Sequence, residues 1–145
     1  MIGGMFVDKL IQYIFLLNRD NNNCNFINPC NAAILMEKDD IDNEIVERYS
    51  SFEIIFVPIN VDNKHWVLLV YSKEKGKNYW LDSLEASNIS EITRSLCIKM
   101  HKKLNRIFST KHNVTGKQPK NMRFQENGDD CGAFVCLFTW QIAKK

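Results

Sequence analysis

Three short apolar segments, separated by polar turns, constrain the fold of this chain more than any other feature. They are residues 54–57, 66–71 and 78–81. Each is too short for a typical helix and rich in β-branched or aromatic residues, which is typical of buried strands. Turns at 60–64 and 74–77 join them. Because short turns make consecutive strands antiparallel neighbours, we expect a small sheet, with Pro58 closing its first strand.

Apolar residues recur every three or four positions in the regions before and after these strands, which indicates helices. The predicted helices are 6–18, 31–36, 88–108 and a final one that begins near Cys131 and runs to about 142. Residues 18–25 and 109–120 are polar and predict loops, and the acidic stretch 37–47 predicts a solvated surface. Residues 26–29 and 122–124 are predicted to be extended.

The composition excludes several classes of protein. The chain has 145 residues, which fits one domain, and its net charge of +2 is too small to favour nucleic acid or an anionic membrane. No apolar run approaches the length of a membrane span. Five cysteines, an odd number, and no basic leader favour a reducing, intracellular compartment over a disulfide framework. No paired CxxC set is present, so a structural zinc site has little support. We expect no metal and no cofactor.

The segment 125–132, Gln-Glu-Asn-Gly-Asp-Asp-Cys-Gly, places a cysteine between a polar turn and the predicted final helix. A helix N-terminus favours the thiolate form of Cys131, and the thiolate is the nucleophile. Gln125 offers a side-chain amide that could hold an oxyanion together with the backbone N–H of Cys131. Gly132 allows a substrate backbone to approach closely. Without a partner base, however, Cys131 would be one more buried cysteine.

A thiol nucleophile needs a base, and the base needs an orienting acid. His65 opens the second predicted strand, and Asp82 closes the third. If these strands pair through the turn near Gly76, His65 and Asp82 are neighbours at one end of the sheet. The alternative is that Asp82 only begins a turn. The other two histidines, His101 and His112, are expected to be solvated.

These residues together resemble a known family. His65-Trp66, Trp80-Leu81-Asp82-Ser83 and the segment 125–132 are similar to motifs of the ubiquitin-like-protein proteases, the SUMO- or sentrin-specific cysteine peptidases related to the adenovirus protease. The predicted first helix and the segment 26–29 extend this resemblance over nearly the whole chain. The order of histidine, aspartate and cysteine, with a glutamine before the cysteine, carries it.

The resemblance implies a role for each residue of the motifs. His65 would be the general base, Asp82 its orienting acid, Cys131 the nucleophile and Gln125 the oxyanion donor. A second set would contact substrate: Trp66, Asn127, Gly128 and Gly132. Trp66 would stack over a narrow channel that admits only a Gly-Gly tail. The tryptophan that many members carry at the first helix has no counterpart here, since its place falls near Met5.

The fold implied is α+β and papain-like: a small mixed sheet packed against helices, with a central helix that starts at Cys131. We expect a single catalytic domain over residues 1–145, shorter than the usual domain at both ends. The expected activity is cleavage after the C-terminal Gly-Gly of a ubiquitin-like modifier, SUMO-type first, for precursor maturation or release from lysine. The modifier and its conjugates are the expected partners of a monomer in the nucleus or cytoplasm, or in a host cell for a viral member.

Several alternatives keep the same motifs. The chain could be a viral or transposon-borne processing protease, a deubiquitinase, or an acetyltransferase of the same clan. A non-catalytic module that binds a modifier is a further alternative. The presence of His65, Asp82, Gln125 and Cys131 together argues against that last one, since a binding module needs none of the four.

Overall fold

In the computed structural model of this chain, the residues described are 24–38, 43–61, 65–74, 76–82 and 91–117. They form five strands and three helices, numbered in chain order. The strands are β1 (Cys24–Phe26), β2 (Ile54–Val61), β3 (His65–Ser72), β4 (Tyr79–Leu81) and β5 (Thr115–Lys117). The helices are α1 (Pro29–Glu37), α2 (Asn43–Tyr49) and α3 (Glu91–Ile107). The predicted elements at 6–18, 122–124 and 131–142 lie outside the described residues.

The described strands form one mixed sheet in the order β1-β2-β3-β4-β5. The antiparallel pairing of β2, β3 and β4 confirms the prediction from the short turns. Gly76, in the turn between β3 and β4, has a φ of 83°, a conformation that favours glycine. The strands β1 and β5, at the edges of the described sheet, each pair in parallel. β5 and the first two residues of β1 lie in regions predicted to be loops, whereas Phe26 was predicted to be extended. Three residues are too few for a period to be visible, so both strands were missed.

β2 is longer than predicted, because Pro58 lies inside it and does not close it. The N–H of Ile27 donates to the carbonyl oxygen of Phe56 at 2.9 Å, so the backbone groups of Phe56 point toward the β1 side. The backbone of Pro58, two residues later, also faces the β1 side, but the pairing with β1 ends at Phe56. Pro58 has no backbone N–H to donate, and among the described strands no hydrogen bond of the sheet requires a donor at this position.

The helices α1 and α3 pack on one face of the sheet. The strand residues on this face alternate, and they include Ile55, Val57, Val67 and Leu69, all fully buried. Burying one side chain of this kind contributes roughly 1.5–3 kcal/mol. Residues on the opposite face of these strands are buried as well. Because both faces are buried, the strands are continuous apolar runs in the sequence, without alternating polar residues.

The helix predicted over 31–36 is confirmed, and it begins at Pro29. The side chain of Asn28 accepts a hydrogen bond from the backbone N–H of Asn31 at 2.8 Å, and proline suits the first helical position. α2 lies partly in the stretch 37–47 that was predicted to be solvated; its charged residues are exposed, but no helix was predicted there. Its last residue, Tyr49, is buried and holds it against the core.

α3 confirms the long helix predicted over 88–108, but its buried face differs from the predicted one. Met100 and Leu104 are buried as expected, whereas Ile92 is 50% exposed. The stripe instead includes Cys97 and His101, because polar or thiol side chains can join a core when they find partners there. No helix among the described residues is long and apolar enough to cross a membrane.

Candidate functional site

The sheet brings His65 and Asp82 together at one end. His65 is the first residue of β3, and Asp82 directly follows the last residue of β4. The register pairs Leu68 with Leu81, so its continuation sets Asp82 opposite Val67 and diagonally across from His65. The predicted adjacency of the two residues therefore follows from the hairpin, and the structure confirms it.

The Nε2 atom of His65 lies 2.7 Å from the Oδ1 atom of Asp82. The carboxylate side chain is 1% exposed and the imidazole is 12% exposed. A short contact between a buried carboxylate and an imidazole at the rim fixes the orientation of the ring. This geometry is the base-and-acid half of the arrangement that the sequence predicts.

The chemistry of the pair determines which nitrogen of His65 carries hydrogen. An ionised carboxylate can only accept hydrogen bonds, so Nε2 of His65 donates to Asp82. In the neutral ring, Nδ1 then holds the lone pair, and that nitrogen is the proton acceptor. Once the ring is protonated, the carboxylate of Asp82 stabilises the imidazolium. The pair is thus built to take a proton and hold it.

Cys97 lies in the core near Asp82 and illustrates a cysteine that cannot act as a nucleophile. Burial, and after it the charge of Asp82, raises the pKa of Cys97 to about 12. Burial also raises the pKa of Cys24. Both were predicted to be structural, and both are buried, unbridged thiols. A reactive thiolate needs the opposite environment, so neither is a candidate nucleophile.

Gly116 supports β4 just before the aspartate, and sequence reasoning missed it. Gly116 pairs with Trp80, two residues before Asp82. A Cβ atom at Gly116 would lie 2.8 Å from two carbon atoms of the Trp80 indole, which is too close for any side chain. The glycine thus lets β5 pack flat against the indole. The only sequence signal was a glycine within a polar loop, which is not specific.

Trp66 is 1% exposed and follows His65 in β3, so it points to the opposite face of the sheet. Its predicted contact with a substrate tail stays a prediction. Five other predicted site residues lie outside the described part of the chain: Gln125, Asn127, Gly128, Cys131 and Gly132. Within the described ranges, no group of three or more His, Cys, Asp or Glu side chains is arranged to hold a metal ion.

A second histidine lies at the other end of the hairpin, and here the prediction was wrong. His101 was expected to be solvated, but it is 2% exposed. Its Nε2 donates to Oδ1 of Asn78 at 2.9 Å, and Asn78 in turn bonds the backbone of Ser72 at 3.1 Å and 2.8 Å. Burial, and after it the charge of nearby His112, lowers the pKa of His101 to about 4. His101 is a structural residue of the core.

The sequence matches the Ulp1 protease family, C-terminal catalytic domain, over residues 2–144. Among curated proteins it is similar to NEDD8-specific protease 1 of Schizosaccharomyces pombe. The two are 25% identical over 154 residues, which cover 97% of this chain and 35% of the relative. This chain therefore spans about a third of the length of that relative.

Solved structures show the same fold. The SUMO protease Ulp1, with its catalytic cysteine oxidised to a sulfonic acid, matches with a TM-score of 0.78 and 18% identity over 98% of this chain and 66% of that one. Ulp1 in complex with SMT3, the yeast ortholog of SUMO, gives a TM-score of 0.75 at 19% identity, covering 98% of this chain and 65% of that one. The Xanthomonas campestris effector XopD bound to ubiquitin gives 0.67 at 20% identity, covering 94% and 72%. These matches confirm the α+β, papain-like fold.

Proposed function

Because this chain belongs to the Ulp1 protease family and is a cysteine-peptidase domain of it, we propose that it cleaves after the C-terminal Gly-Gly of a ubiquitin-like modifier. The observation that carries the proposal is the 2.7 Å contact between His65 and Asp82 at the rim of the sheet. A buried carboxylate that orients an imidazole is what a general base requires. A module that only binds a modifier has no use for it.

In the proposed reaction, Cys131 attacks the carbonyl carbon of the terminal glycine and its proton passes to Nδ1 of His65. Asp82 stabilises the imidazolium, and the side-chain amide of Gln125 with the backbone N–H of Cys131 stabilises the oxyanion. Collapse of the tetrahedral intermediate expels an amine, which takes the proton from His65. Water, deprotonated by His65, then hydrolyses the thioester and frees the carboxylate and Cys131.

The proposed substrate is a modifier precursor or a conjugate in which the modifier is joined to a lysine. SUMO-type modifiers are the first candidates, supported by the likeness in fold to Ulp1 in complex with SMT3. A NEDD8-type modifier is the second candidate, because the relative that is 25% identical is named a NEDD8-specific protease. Substrate contacts are assigned to Trp66, Asn127, Gly128 and Gly132, and the compartment is proposed to be the nucleus or cytoplasm.

The test uses SUMO, NEDD8 and ubiquitin, each carrying a thiol-reactive group at its C-terminus. The proposal predicts a covalent adduct with SUMO, detected by mass spectrometry and absent in Cys131→Ser. Cys97→Ser is the matched control, since that thiol is buried and its pKa is about 12, and it should keep the adduct. An adduct that survives Cys131→Ser would contradict the site assignment, and no adduct with any of the three would contradict the function.

A result with NEDD8 alone would assign the second candidate, and a result with ubiquitin alone would make the chain a deubiquitinase. Both outcomes would retain the residue roles and replace the SUMO-type substrate. The probes thereby separate the chemistry of the site from the identity of the modifier.

A further inference from the structure

An open groove lies at the end of the sheet opposite to His65. Its walls are the second half of α3 and the segment 110–114 that leads into β5, and its volume is about 730 Å³. β3 runs from His65 to Ser72, and about 3.3 Å per residue separates the two ends of this strand by more than 20 Å. The groove is therefore distinct from the His65–Asp82 site.

Three cations give the groove its charge. Lys102 and Arg106 are one turn apart on α3, and Lys111 is on the other wall. All three side chains are exposed. No aspartate or glutamate is among the described residues that line the groove, so nothing in that lining neutralises them. Cations concentrated along a concave surface attract a ligand of opposite charge.

The two walls are tied together by Asn105. Its Nδ2 donates to the backbone oxygen of His112 at 3.0 Å, and its Oδ1 accepts from the backbone N–H of His112 at 3.3 Å. The hydroxyl of Thr110 also donates to Oδ1 of Asn105, at 2.7 Å. The second wall is further fixed to β3, since His112 Nε2 donates to the backbone oxygen of Lys73 at 2.9 Å. A preformed groove binds with less loss of entropy than a flexible one.

We propose that this groove binds an acidic segment of a partner polypeptide. Carboxylates would pair with Lys102, Arg106 and Lys111, and the half-buried side chains of Ile98 and Val114 offer apolar surface between the charges. Single-stranded nucleic acid fits less well, because its bases stack on aromatic side chains and no phenylalanine, tyrosine or tryptophan is among the described residues of its lining. The net charge of +2 is also low for a nucleic-acid binder.

The binding is independent of the proposed cleavage, since it uses neither His65 nor Cys131. In a deconjugating enzyme it would hold the polypeptide that carries the modifier and raise its effective concentration at the distant site. A test of binding alone therefore leaves the proposed function untouched if it fails.

The experiment measures fluorescence anisotropy of a labelled oligoglutamate peptide at low and at physiological salt. The double variant K102E/R106E should weaken binding about tenfold or more, because two attractive charges become repulsive. The matched control is R48E/R94E, which makes the same change in net charge at two exposed residues outside the groove, one on α2 and one on α3 about 12 Å along the helix from Lys102. It should bind within about twofold of wild type at physiological salt, where surface charges are screened over roughly 8 Å.

The single variant Lys111→Glu, on the other wall, tests the groove without altering α3 and should also weaken binding. Equal weakening by the two double variants would show an effect of net charge and overturn the proposal. So would the absence of binding by wild type at low salt. Tighter binding of labelled oligothymidylate than of oligoglutamate, lost in K102E/R106E, would overturn it in favour of nucleic acid.

Discussion

His65 and His101 both donate a hydrogen bond from Nε2 to the β3–β4 hairpin region, at 2.7 Å and 2.9 Å, but one partner is a carboxylate and the other an amide. The carboxylate of Asp82 can stabilise a positive charge on its histidine. The amide oxygen of Asn78 already accepts from the backbone and offers only a dipole. Two imidazole rings with similar hydrogen-bond lengths therefore differ in how well their partners stabilise the protonated form.

Exposure differs in the same direction. The side chain of His65 is 12% exposed at the rim, and His101 is 2% exposed in the core. Burial without a countercharge lowers the pKa of His101 to about 4, so it is neutral at physiological pH. The comparison shows that a histidine can act as a base when its partner is a carboxylate and its ring is accessible to solvent. The length of its hydrogen bond alone does not distinguish His65 from His101.

The largest expected effect is at His65. In His65→Ala, turnover of a modifier with a fluorogenic C-terminal leaving group should fall by about three orders of magnitude or more, because base, acid and nucleophile act as a unit. The circular dichroism spectrum should be unchanged, whereas the midpoint of urea unfolding should fall, because the buried carboxylate of Asp82 loses one of its partners. Near-normal turnover would remove His65 from the mechanism.

Asp82→Asn makes the partner of His65 resemble that of His101, and it should lower turnover by about two to four orders of magnitude. An amide can turn its N–H₂ toward Nε2 and so favour the wrong tautomer of the ring, and it does not stabilise the imidazolium. The measurement is kcat at saturating substrate as a function of pH. A value of kcat equal to wild type at every pH would mean that Asp82 only closes the strand.

The third prediction concerns stability and His101. Well above pH 6.5 the ring of His101 is neutral in both folded and unfolded states. As the pH falls below 6.5, His101 binds a proton in the unfolded chain but not in the folded protein, so the free energy of unfolding decreases. The decrease ends near pH 4, where the ring is protonated in the folded protein as well. The loss attributable to this residue is on the order of 2–3 kcal/mol.

The variant His101→Gln isolates that contribution, because glutamine keeps a donor for Asn78 but does not titrate. Urea unfolding between pH 4 and pH 7 should show a flatter decline for His101→Gln than for wild type. Parallel curves would mean that His101 gains its proton in the folded state as readily as in the unfolded one.

The smallest expected effect is at Gly116, which supports the strand before Asp82. Gly116→Ala should lower the free energy of unfolding by about 1–3 kcal/mol, because the added methyl group must displace the indole of Trp80 or the backbone of β5. Thr115→Ala, at an exposed position of the same strand, is the control. Equal urea midpoints for the two variants would show that the strands separate freely.

Local regularities explain what could be predicted without a structure. The antiparallel hairpin follows from apolar runs and short turns, and it places His65 beside Asp82 because a hairpin brings the start of one strand to the end of the next. The buried stripe of α3 was predicted in part, from Met100 and Leu104. α2 was not predicted, because its acidic residues indicate only a solvated surface, and Pro58 was misread as the end of a strand because proline more often ends one.

The sequence by itself determined the central hairpin, the long helix and the motifs that identify the family, since these depend on residues near one another in the chain. Only the tertiary structure decided that β1 and β5 join the sheet, that Gly116 lies against Trp80 and that His101 is buried on Asn78. Each of those facts depends on contacts between distant segments. Such contacts produce no periodic pattern in the sequence. A polar residue is buried only where the fold supplies a hydrogen-bond partner for it.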